Sequence, residues 1–205
     1  MLAVLVNGLP GAGKTTLARM LARELELPLF GKDSVKETLA DALAALRTAG
    51  SGTREWSRSL GAAAGETLWT LLADAPVGAV LESPWPAHMR PVVAAGLARA
   101  GASEVHEVWC AVPPDTARRR FRERAAARHP VHTEGARFPE EEWRFWSGRR
   151  GPNRWAWAVC TGWTPPARWT SCSSRCGSRA ARSRPCEARR GVREALVRLP
   201  PGALA

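Results

Sequence analysis

The chain has 205 residues and a formal net charge of +11, and 45% of its residues are hydrophobic. This length is sufficient for one α/β domain with a buried core and is short for two domains. No stretch approaches the roughly 20 consecutive apolar residues of a transmembrane helix, so we expect no membrane partner.

The positive charge is concentrated near the carboxyl end of the chain. Residues 151–205 contain ten Arg and two Glu, a net charge of +8, whereas residues 1–150 carry +3. The basicity therefore does not indicate what the first 150 residues bind. The cysteines are equally uneven. Cys110 stands alone in the body, where we expect a buried thiol. The other four lie in the tail, and their spacing is unlike that of common zinc sites.

Apolar runs alternate with helical patterns along the first 150 residues. Residues 2–6 form a continuous apolar run, which is typical of a central parallel strand buried on both faces. They lack the basic start of a signal peptide and lead directly into a glycine-rich loop, so we expect a cytoplasmic protein. Further strands are predicted at 27–30, 77–81 and 104–112. Helices are predicted at 13–26, 34–49, 55–73, 87–100 and 116–128. The alternation predicts an α/β fold with a parallel sheet and helices on both faces.

The glycine-rich loop carries the strongest functional signal. Residues 8–15 read Gly-Leu-Pro-Gly-Ala-Gly-Lys-Thr and match the Walker A pattern G-x-x-x-x-G-K-[ST] at every fixed position, between a strand and a helix. In this pattern backbone N–H groups surround the β-phosphate, Lys14 bridges the β- and γ-phosphates, and the Thr15 hydroxyl ligates Mg²⁺. We therefore predict that the protein binds ATP and Mg²⁺. The predicted nucleotide contacts are Gly8, Leu9, Pro10, Gly11, Ala12, Gly13, Lys14, Thr15 and Thr16.

Three further features follow predicted strands: Lys32-Asp33, then Glu82, then an arginine-rich segment after Pro113-Pro114. Together with the loop, they resemble the small P-loop kinases, which include chloramphenicol phosphotransferase, zeta-type toxin kinases and the 5′-kinase domains of polynucleotide kinases. The resemblance covers residues 1–150. It implies a P-loop kinase-like core in which an arginine-rich helical lid occupies about residues 113–135.

The resemblance implies a catalytic role for Asp33, because in these kinases a carboxylate at the end of the second strand accepts the proton of the substrate hydroxyl. The carboxyl edge of a parallel sheet is also where α/β folds bind ligands, and a base must lie within hydrogen-bond reach of the attacking group. The alternative is that Asp33 or Ser34 merely caps the following helix. Lys36, one turn further on, is expected on a solvated face.

Glu82 resembles the acidic residue that ends the Walker B strand, or the substrate-side glutamate of zeta-type kinases. With Thr15, it is predicted to hold Mg²⁺, directly or through water; the alternative is an ordinary loop carboxylate.

Arg120, Arg124 and Arg128 lie four residues apart on the predicted basic helix, and the lid resemblance implies that they neutralise charge on the transferred phosphoryl group, as Lys14 does. The alternative is a solvated basic helix, or one that meets nucleic acid. The histidines, including His129 and His132, are expected to lie in loops rather than to form a metal-ligand set.

The tail, residues 151–205, has a different composition. Four Trp fall within residues 155–169, and no helical or alternating pattern is present. Because Trp is always encoded by TGG, reading each codon from its last base turns both Trp-Thr pairs into Asp and both Trp-Ala pairs into Gly. The shifted reading gives a loop, a strand ending in Asp-Thr and a helix start, which resembles the last strand and helix of these kinases. We therefore expect that the tail is frameshifted or disordered, and that the C-terminal strand and helix are missing or disordered.

Two alternatives to a kinase remain open from the sequence. The first is a P-loop ATPase or GTPase that hydrolyses nucleotide without a phosphate acceptor. The second is a nucleic-acid-binding protein that acts through a genuine Arg/Trp-rich or zinc-binding tail. The favoured hypothesis is a kinase that transfers the ATP γ-phosphate to a hydroxyl of a small-molecule or nucleotide acceptor.

Overall fold

The computed structural model describes residues 1–47, 52–132, 159–163 and 170–171. Its sheet has the strand order β2-β3-β1-β4-β5-β6, and all neighbouring strands are parallel except the antiparallel pair β5 and β6. The strands are β1 (Leu2–Gly8), β2 (Leu29–Gly31), β3 (Gly78–Glu82), β4 (Glu104–Cys110), β5 (Val159–Trp163) and β6 (Thr170–Ser171).

Helices connect the strands in the order that parallel pairing requires. The α-helices are α1 (Lys14–Glu24), α2 (Lys32–Ala42), α3 (Thr53–Ala73), α4 (Arg90–Arg99) and α5 (Pro114–Glu123). Short 3₁₀ turns are present at Ala44–Leu46, Ala87–Met89 and Ala125–Ala127. None of the described helices has both the length and the apolar character needed to cross a membrane.

The core lies on both faces of the sheet, as the continuous apolar run of β1 predicts. Val4 and Val6 pack into one cluster together with the buried faces of α1 and α5. Ala3 and Leu5 point the other way, into a second cluster with α3 and α4. Each fully buried Val or Leu side chain contributes about 1.5–3 kcal/mol. The two clusters therefore clamp β1 from both sides and fix the start of the phosphate loop. Cys110 is buried in the first cluster, as expected, and burial raises the pKa of its thiol to about 12.

The register of the sheet brings three loops to one edge. Glu82 at the end of β3 is level with Gly31 of β2 on one side and with Val6 of β1 on the other. The segment that begins α2 therefore lies next to Glu82, and the phosphate loop follows β1 at the same edge. The predicted parallel α/β fold is confirmed, and the edge at which the sequence placed the site is the carboxyl edge of the observed sheet.

The basic helix is shorter than its sequence pattern indicates. It was predicted over residues 116–128, but α5 ends at Glu123, a 3₁₀ turn follows, and Arg128 is extended with φ −81° and ψ 146°. Pro130 disfavours helical geometry at His129, the residue before it, so the helix could not continue beyond Arg128. The even row of Arg120, Arg124 and Arg128 along one helical face is therefore broken. The helix predicted at 34–49 is likewise replaced after Ala42 by the turn Ala44–Leu46.

The structure also describes a strand in the tail: β5 pairs in parallel with β4 from His106 opposite Val159 to Cys110 opposite Trp163. A sheet edge pairs through backbone N–H and C=O groups, which any non-proline residue supplies, and Val, Thr and Trp favour extended structure. The expectation that the tail is frameshifted or disordered stays a prediction. The expected loss or disorder of the last helix lies outside the described residues.

Candidate functional site

The phosphate loop, residues 8–15, is shaped by its glycines. Gly13 is the N-cap of α1 and has a left-handed backbone with φ 89°. Gly11 has φ 82°, and a Cβ there would overlap the carbonyl oxygen of Ala117 in α5. Both positions therefore require glycine for conformational or steric reasons. The loop therefore leads directly into the N-terminus of α1, where backbone N–H groups and the helix dipole favour the binding of an anion.

Lys14 is held inside this loop. Its side chain is largely buried, and Nζ donates hydrogen bonds of 3.1 Å to the backbone carbonyl oxygens of Gly8 and Leu9. These two contacts keep the ammonium at the mouth of the loop instead of extended into solvent. Such a fixed ammonium is suited to bridge phosphate oxygens of a bound nucleotide.

Glu82 faces the first turn of α1. It is 6% exposed, and its carboxylate accepts a hydrogen bond from the Thr15 side chain. Burial raises the pKa of the Glu82 carboxyl above its usual range, and the nearby charge of Asp33 raises it further. Lys14, the Thr15 hydrogen bond and Arg19 act in the opposite direction. The two residues that the sequence predicted as metal ligands therefore lie close together.

Asp33 lies in the first turn of α2 and is not the helix cap. The N-cap is Gly31, and no side chain makes a capping hydrogen bond. The negative charge of Asp33 instead affects two neighbouring groups. It raises the pKa of the Glu82 carboxyl, and it partly offsets the effect of burial, which lowers the pKa of Lys32. The capping alternative thus lacks its defining hydrogen bond, and Asp33 is left facing the same space as Glu82.

A single cavity of about 1180 Å³ joins these groups. It is lined by Lys14, Thr15 and Thr16 of α1, by Asp33, by Glu82, and by the arginine-bearing segment through Arg124 and Arg128. The predicted loop contacts Pro10, Gly11 and Gly13 also line it, whereas Gly8, Leu9, Ala12 and Arg120 are not among its lining residues. The volume is above the usual range for one drug-sized ligand, which leaves room for a nucleotide and a second molecule.

Arg128 is oriented by an aromatic contact. Its guanidinium carbon lies 4.7 Å from the centre of the Phe121 ring, a cation–π arrangement. Arg124 closes α5, where its backbone N–H bonds to the carbonyl oxygens of Arg120 and Arg122. The arginines that reach the cavity are thus set by the end of α5 and the turn after it, rather than by an uninterrupted helical face.

Sequence reasoning missed the far wall of the cavity. Residues 129–132, which we call the clasp, fasten the arginine-bearing segment to α2 and α3. His129 Nε2 lies 3.0 Å from Asp41 Oδ1, and His132 Nε2 lies 2.9 Å from Glu37 Oε1. Because His129 Nδ1 accepts a hydrogen bond from the Val131 N–H, the proton of the neutral ring is on Nε2, which donates a hydrogen bond to Asp41. The two histidines therefore act as structural fasteners.

Ser57 of α3 binds the clasp at Val131. Its hydroxyl donates to the Val131 carbonyl oxygen at 2.9 Å and accepts a 2.8 Å hydrogen bond from Lys36 Nζ. Lys36, expected on a solvated face, thus lines the cavity. Burial lowers the pKa of His132 below its usual value; Asp33 and the hydrogen bond with Glu37 oppose this, while Lys36 and Arg128 reinforce it. The hydrogen bonds of the clasp join residues 74 or more positions apart in the sequence. No local sequence motif therefore predicts them.

The described residues contain no cluster of three or more His, Cys, Asp or Glu side chains that could hold a metal ion. Cys160 lies in β5, and the other tail cysteines, Cys172, Cys176 and Cys186, lie outside the described residues. A metal at the cavity would therefore depend on bound phosphate and water in addition to protein oxygens, which is the usual situation for Mg²⁺.

The fold resembles that of one solved structure, and weaker similarity to others was found. A candidate kinase from Chloroflexus aurantiacus j-10-fl is 29% identical, with 73% of this chain and 84% of that chain covered and a TM-score of 0.58. APS kinase from Mycobacterium tuberculosis, solved in complex with AMPPNP and APS, is 23% identical over 95% of this chain and 96% of that chain, with a TM-score of 0.47. The tunicamycin resistance protein of Deinococcus radiodurans is 20% identical over 72% of this chain and 80% of that chain, with a TM-score of 0.45.

No curated protein sequence matches the chain. A family model described as an AAA domain matches residues 4–149, which include the phosphate loop, Asp33, Glu82 and the arginine-bearing segment. The match spans well over half of the chain and coincides with the region in which the sequence resembled P-loop kinases. The chain therefore belongs to this AAA domain family of P-loop, kinase-like proteins.

Proposed function

We propose that the protein is an ATP-dependent kinase that transfers the γ-phosphate to a hydroxyl group of a small-molecule or nucleotide acceptor. The observation that carries the proposal is that one cavity joins four groups: the phosphate loop, Asp33, the Thr15–Glu82 pair, and Arg124 with Arg128. Phosphoryl transfer is catalysed mainly by positioning and charge stabilisation, and these groups supply both.

The nucleotide lies with its phosphates in residues 8–15. Backbone N–H groups of the loop and the N-terminus of α1 receive the phosphate oxygens. Lys14 exchanges its contacts with the Gly8 and Leu9 carbonyls for the β- and γ-phosphate oxygens. That exchange is inexpensive, because the ammonium is already held at the loop and little side-chain freedom remains to be lost.

The Thr15 hydroxyl and the Glu82 carboxylate fit Mg²⁺. Both are hard oxygen ligands, they lie close together, and they lie beside the loop that receives the phosphates. When bound, Mg²⁺ neutralises phosphate charge and orients the phosphate chain. The raised pKa of Glu82 agrees with a carboxylate poised to gain from a cation, since a nearby positive charge offsets its loss of hydration.

The acceptor occupies the other half of the cavity, between α2, α3 and the clasp. Its hydroxyl oxygen attacks the γ-phosphorus, the bond to the bridging oxygen breaks, and ADP leaves. The hydroxyl proton passes to the carboxylate of Asp33. Lys36, Glu37, Ser57 and His132 line this half, so the acceptor meets mainly polar side chains.

Arg124 and Arg128 line the same cavity from the end of α5 and the turn that leads into the clasp. Their guanidinium groups stabilise the negative charge spread over the transferred phosphoryl group. The Phe121 contact restricts Arg128 to the cavity side of its segment. The arrangement favours transfer over plain hydrolysis, because the volume beyond the phosphate loop is large and walled by α2, α3 and the clasp.

The test is a screen for acceptors that stimulate ADP formation by the full chain with ATP and Mg²⁺. The panel holds hydroxyl-bearing antibiotics, nucleosides, sugars and oligonucleotides with a free 5′-hydroxyl. We expect at least one class to raise ADP formation well above the rate in buffer, with saturation, and the Lys14→Ala variant to show no stimulation. Equal ADP formation with and without every acceptor, at a substantial rate, would indicate an ATPase instead.

A further inference from the structure

The side chain of Asn7 is completely buried at the point where β1 enters the phosphate loop. Its Nδ2 donates to the Trp85 carbonyl oxygen at 3.0 Å and to Glu107 Oε1 at 2.7 Å. Its Oδ1 accepts hydrogen bonds from the Gly8 N–H at 2.8 Å and the Trp85 N–H at 3.0 Å. A side-chain amide has two donor hydrogens and two acceptor lone pairs, so every hydrogen-bonding position of Asn7 is used.

These bonds join two loops that the sheet does not connect. The ladder between β1 and β3 ends at the pair Val6 and Glu82. Beyond that pair the phosphate loop and the loop after β3 separate, and the amide of Asn7 bridges the gap by binding Gly8 on one side and both backbone groups of Trp85 on the other. Trp85 lies three residues after Glu82, so the bridge acts close to the metal-side carboxylate.

The far ends of the bridge are also fixed. The indole ring of Trp85 packs against Trp69 of α3, with ring centres 5.5 Å apart. Glu107 lies in β4, on the other side of β1, and its side chain is fully buried. Asn7 therefore ties the phosphate loop at once to β4 and to the loop that follows Glu82. In a buried, low-dielectric setting such a fully satisfied network is rigid, and a partly satisfied one is costly.

We propose that Asn7 is a positioning residue that sets the separation between the phosphate loop and Glu82, and thereby the Mg²⁺-dependent part of nucleotide affinity. The inference rests on the proposed nucleotide-binding function. Thr15 comes from the phosphate-loop side and Glu82 from the β3 side, so both can serve one cation only if the two sides keep their spacing. Phosphate binding by the loop backbone depends less on that spacing.

The side-chain chemistry at this position is restrictive. An aspartate would keep the two acceptor contacts, lose both donated hydrogen bonds and place a second carboxylate against Glu107. A serine is too short to span the gap. The geometry thus distinguishes Asn from its nearest substitutes, and this makes the role testable by conservative changes.

The experiment measures the dissociation constant of ATP by calorimetry in EDTA and in saturating Mg²⁺, and takes the ratio as the Mg²⁺ gain. The variants are Asn7→Asp, Asn7→Ser and the double variant Asn7→Asp/Glu107→Gln. In the double variant the repulsion is removed, and the introduced amide can donate to the introduced carboxylate. Val93→Ala in α4, which is buried in the second core cluster, serves as the control for lost stability.

We expect Asn7→Asp and Asn7→Ser to lose at least about tenfold of the Mg²⁺ gain while affinity in EDTA changes less. The double variant should recover most of the loss, and Val93→Ala should keep the wild-type gain at a comparable fall in melting temperature. A wild-type gain in Asn7→Ser overturns the inference even if Asn7→Asp does not fold, and so does an equal loss in Val93→Ala. Absence of ATP binding in the wild-type chain would contradict the proposed function itself, and the inference with it.

Discussion

The two walls of the cavity are held together in different ways. Within residues 8–15 the contacts that hold Lys14 are local, since Nζ bonds to carbonyls five and six residues away and the Ala12 N–H bonds to the Leu9 carbonyl oxygen. In the clasp the corresponding contacts join residues 74 to 95 positions apart. The phosphate loop therefore holds its lysine through its own backbone, whereas the clasp wall exists only when α2, α3 and residues 129–132 are assembled.

This difference implies a division of roles. A wall fixed by its own backbone suits the invariant part of the ligand, the nucleotide phosphates. A wall made of distant side chains can change with any of its contributors, which suits the part of the site that selects the acceptor and closes over it. Changes in the phosphate loop should therefore affect nucleotide binding, whereas changes in the clasp should affect turnover.

Lys14→Ala tests the first half of this comparison and has the largest expected effect. The variant loses charge-assisted hydrogen bonds to the phosphates, which contribute about 1.5–3 kcal/mol each, so ATP affinity should fall at least about 100-fold. Calorimetric titration with ATP and Mg²⁺ provides the measurement. Arg99→Ala, which removes an exposed cation paired with Glu66 on the α3–α4 side, is the matched control. Unchanged ATP affinity in Lys14→Ala would contradict the assignment of nucleotide binding to the phosphate loop.

Arginine variants test which cations serve the transferred group. Arg124→Ala and Arg128→Ala should each lower kcat about 100-fold, less than the 10³–10⁵ range for a single arginine finger because the two guanidiniums share the charge. Arg120→Ala should stay within about threefold of wild type, since Arg120 does not line the cavity. Steady-state measurement of kcat for the three variants distinguishes these outcomes. A loss in Arg120→Ala equal to that in Arg128→Ala would favour the regular helical row predicted from the sequence.

Ser57→Ala sharpens the comparison at the clasp. The variant removes the hydroxyl that links Lys36 to the Val131 carbonyl, and we expect a fall in kcat of about three- to tenfold with ATP affinity unchanged. The net stability loss should be about 1 kcal/mol, as for one hydrogen bond. Thr67→Ala on the same helix, where the hydroxyl bonds only to Ala63 of its own helix, controls for hydroxyl removal. Weakened ATP binding in Ser57→Ala, without a kcat effect, would contradict the proposed division.

The smallest expected effect is on the pH dependence of stability. Because the pKa of His132 is lowered in the folded protein, the unfolded chain takes up this proton at a higher pH. Protons therefore favour unfolding as the pH falls through the ordinary histidine range near 6.5, and the loss levels off below the folded pKa. His132→Gln should show a shallower decline in melting temperature between about pH 7 and 5 than wild type. A steeper decline in the variant would show that the sign is wrong.

The local geometry of residues 8–15 was predictable from the sequence. The strand before the loop and the helix after it are present as predicted, and Gly11 and Gly13 have the left-handed backbone that favours glycine. That this loop binds phosphate stays a prediction. The position of Glu82 was also predictable, since it ends an apolar run at the carboxyl edge of a parallel sheet. Its hydrogen bond with Thr15 brings together two residues 67 positions apart that the pattern had already paired by role.

The part of the site that depends on tertiary contacts was not predictable from the sequence pattern. The helical spacing of Arg120, Arg124 and Arg128 implied one continuous face, but α5 ends at Glu123 and a 3₁₀ turn at Ala125–Ala127 follows. Lys36 was expected in solvent, and no role was predicted for Ser57. The reason is that the Lys36–Ser57 and Ser57–Val131 hydrogen bonds join residues far apart in the sequence, so no local sequence pattern predicts them. The pairing of β5 with β4 has no counterpart in an alternating side-chain pattern, because backbone pairing at a sheet edge does not require one.

The most direct test of the central claim is the fate of the labelled γ-phosphate of ATP in the wild-type chain and in Asp33→Asn, with an acceptor from the screen. The account predicts that wild type places the label on the acceptor, and that Asp33→Asn binds ATP and Mg²⁺ as tightly but transfers label about 10²–10⁴-fold more slowly, the usual range for loss of a general base. Label recovered only as free phosphate, at the same rate in both proteins, would contradict it.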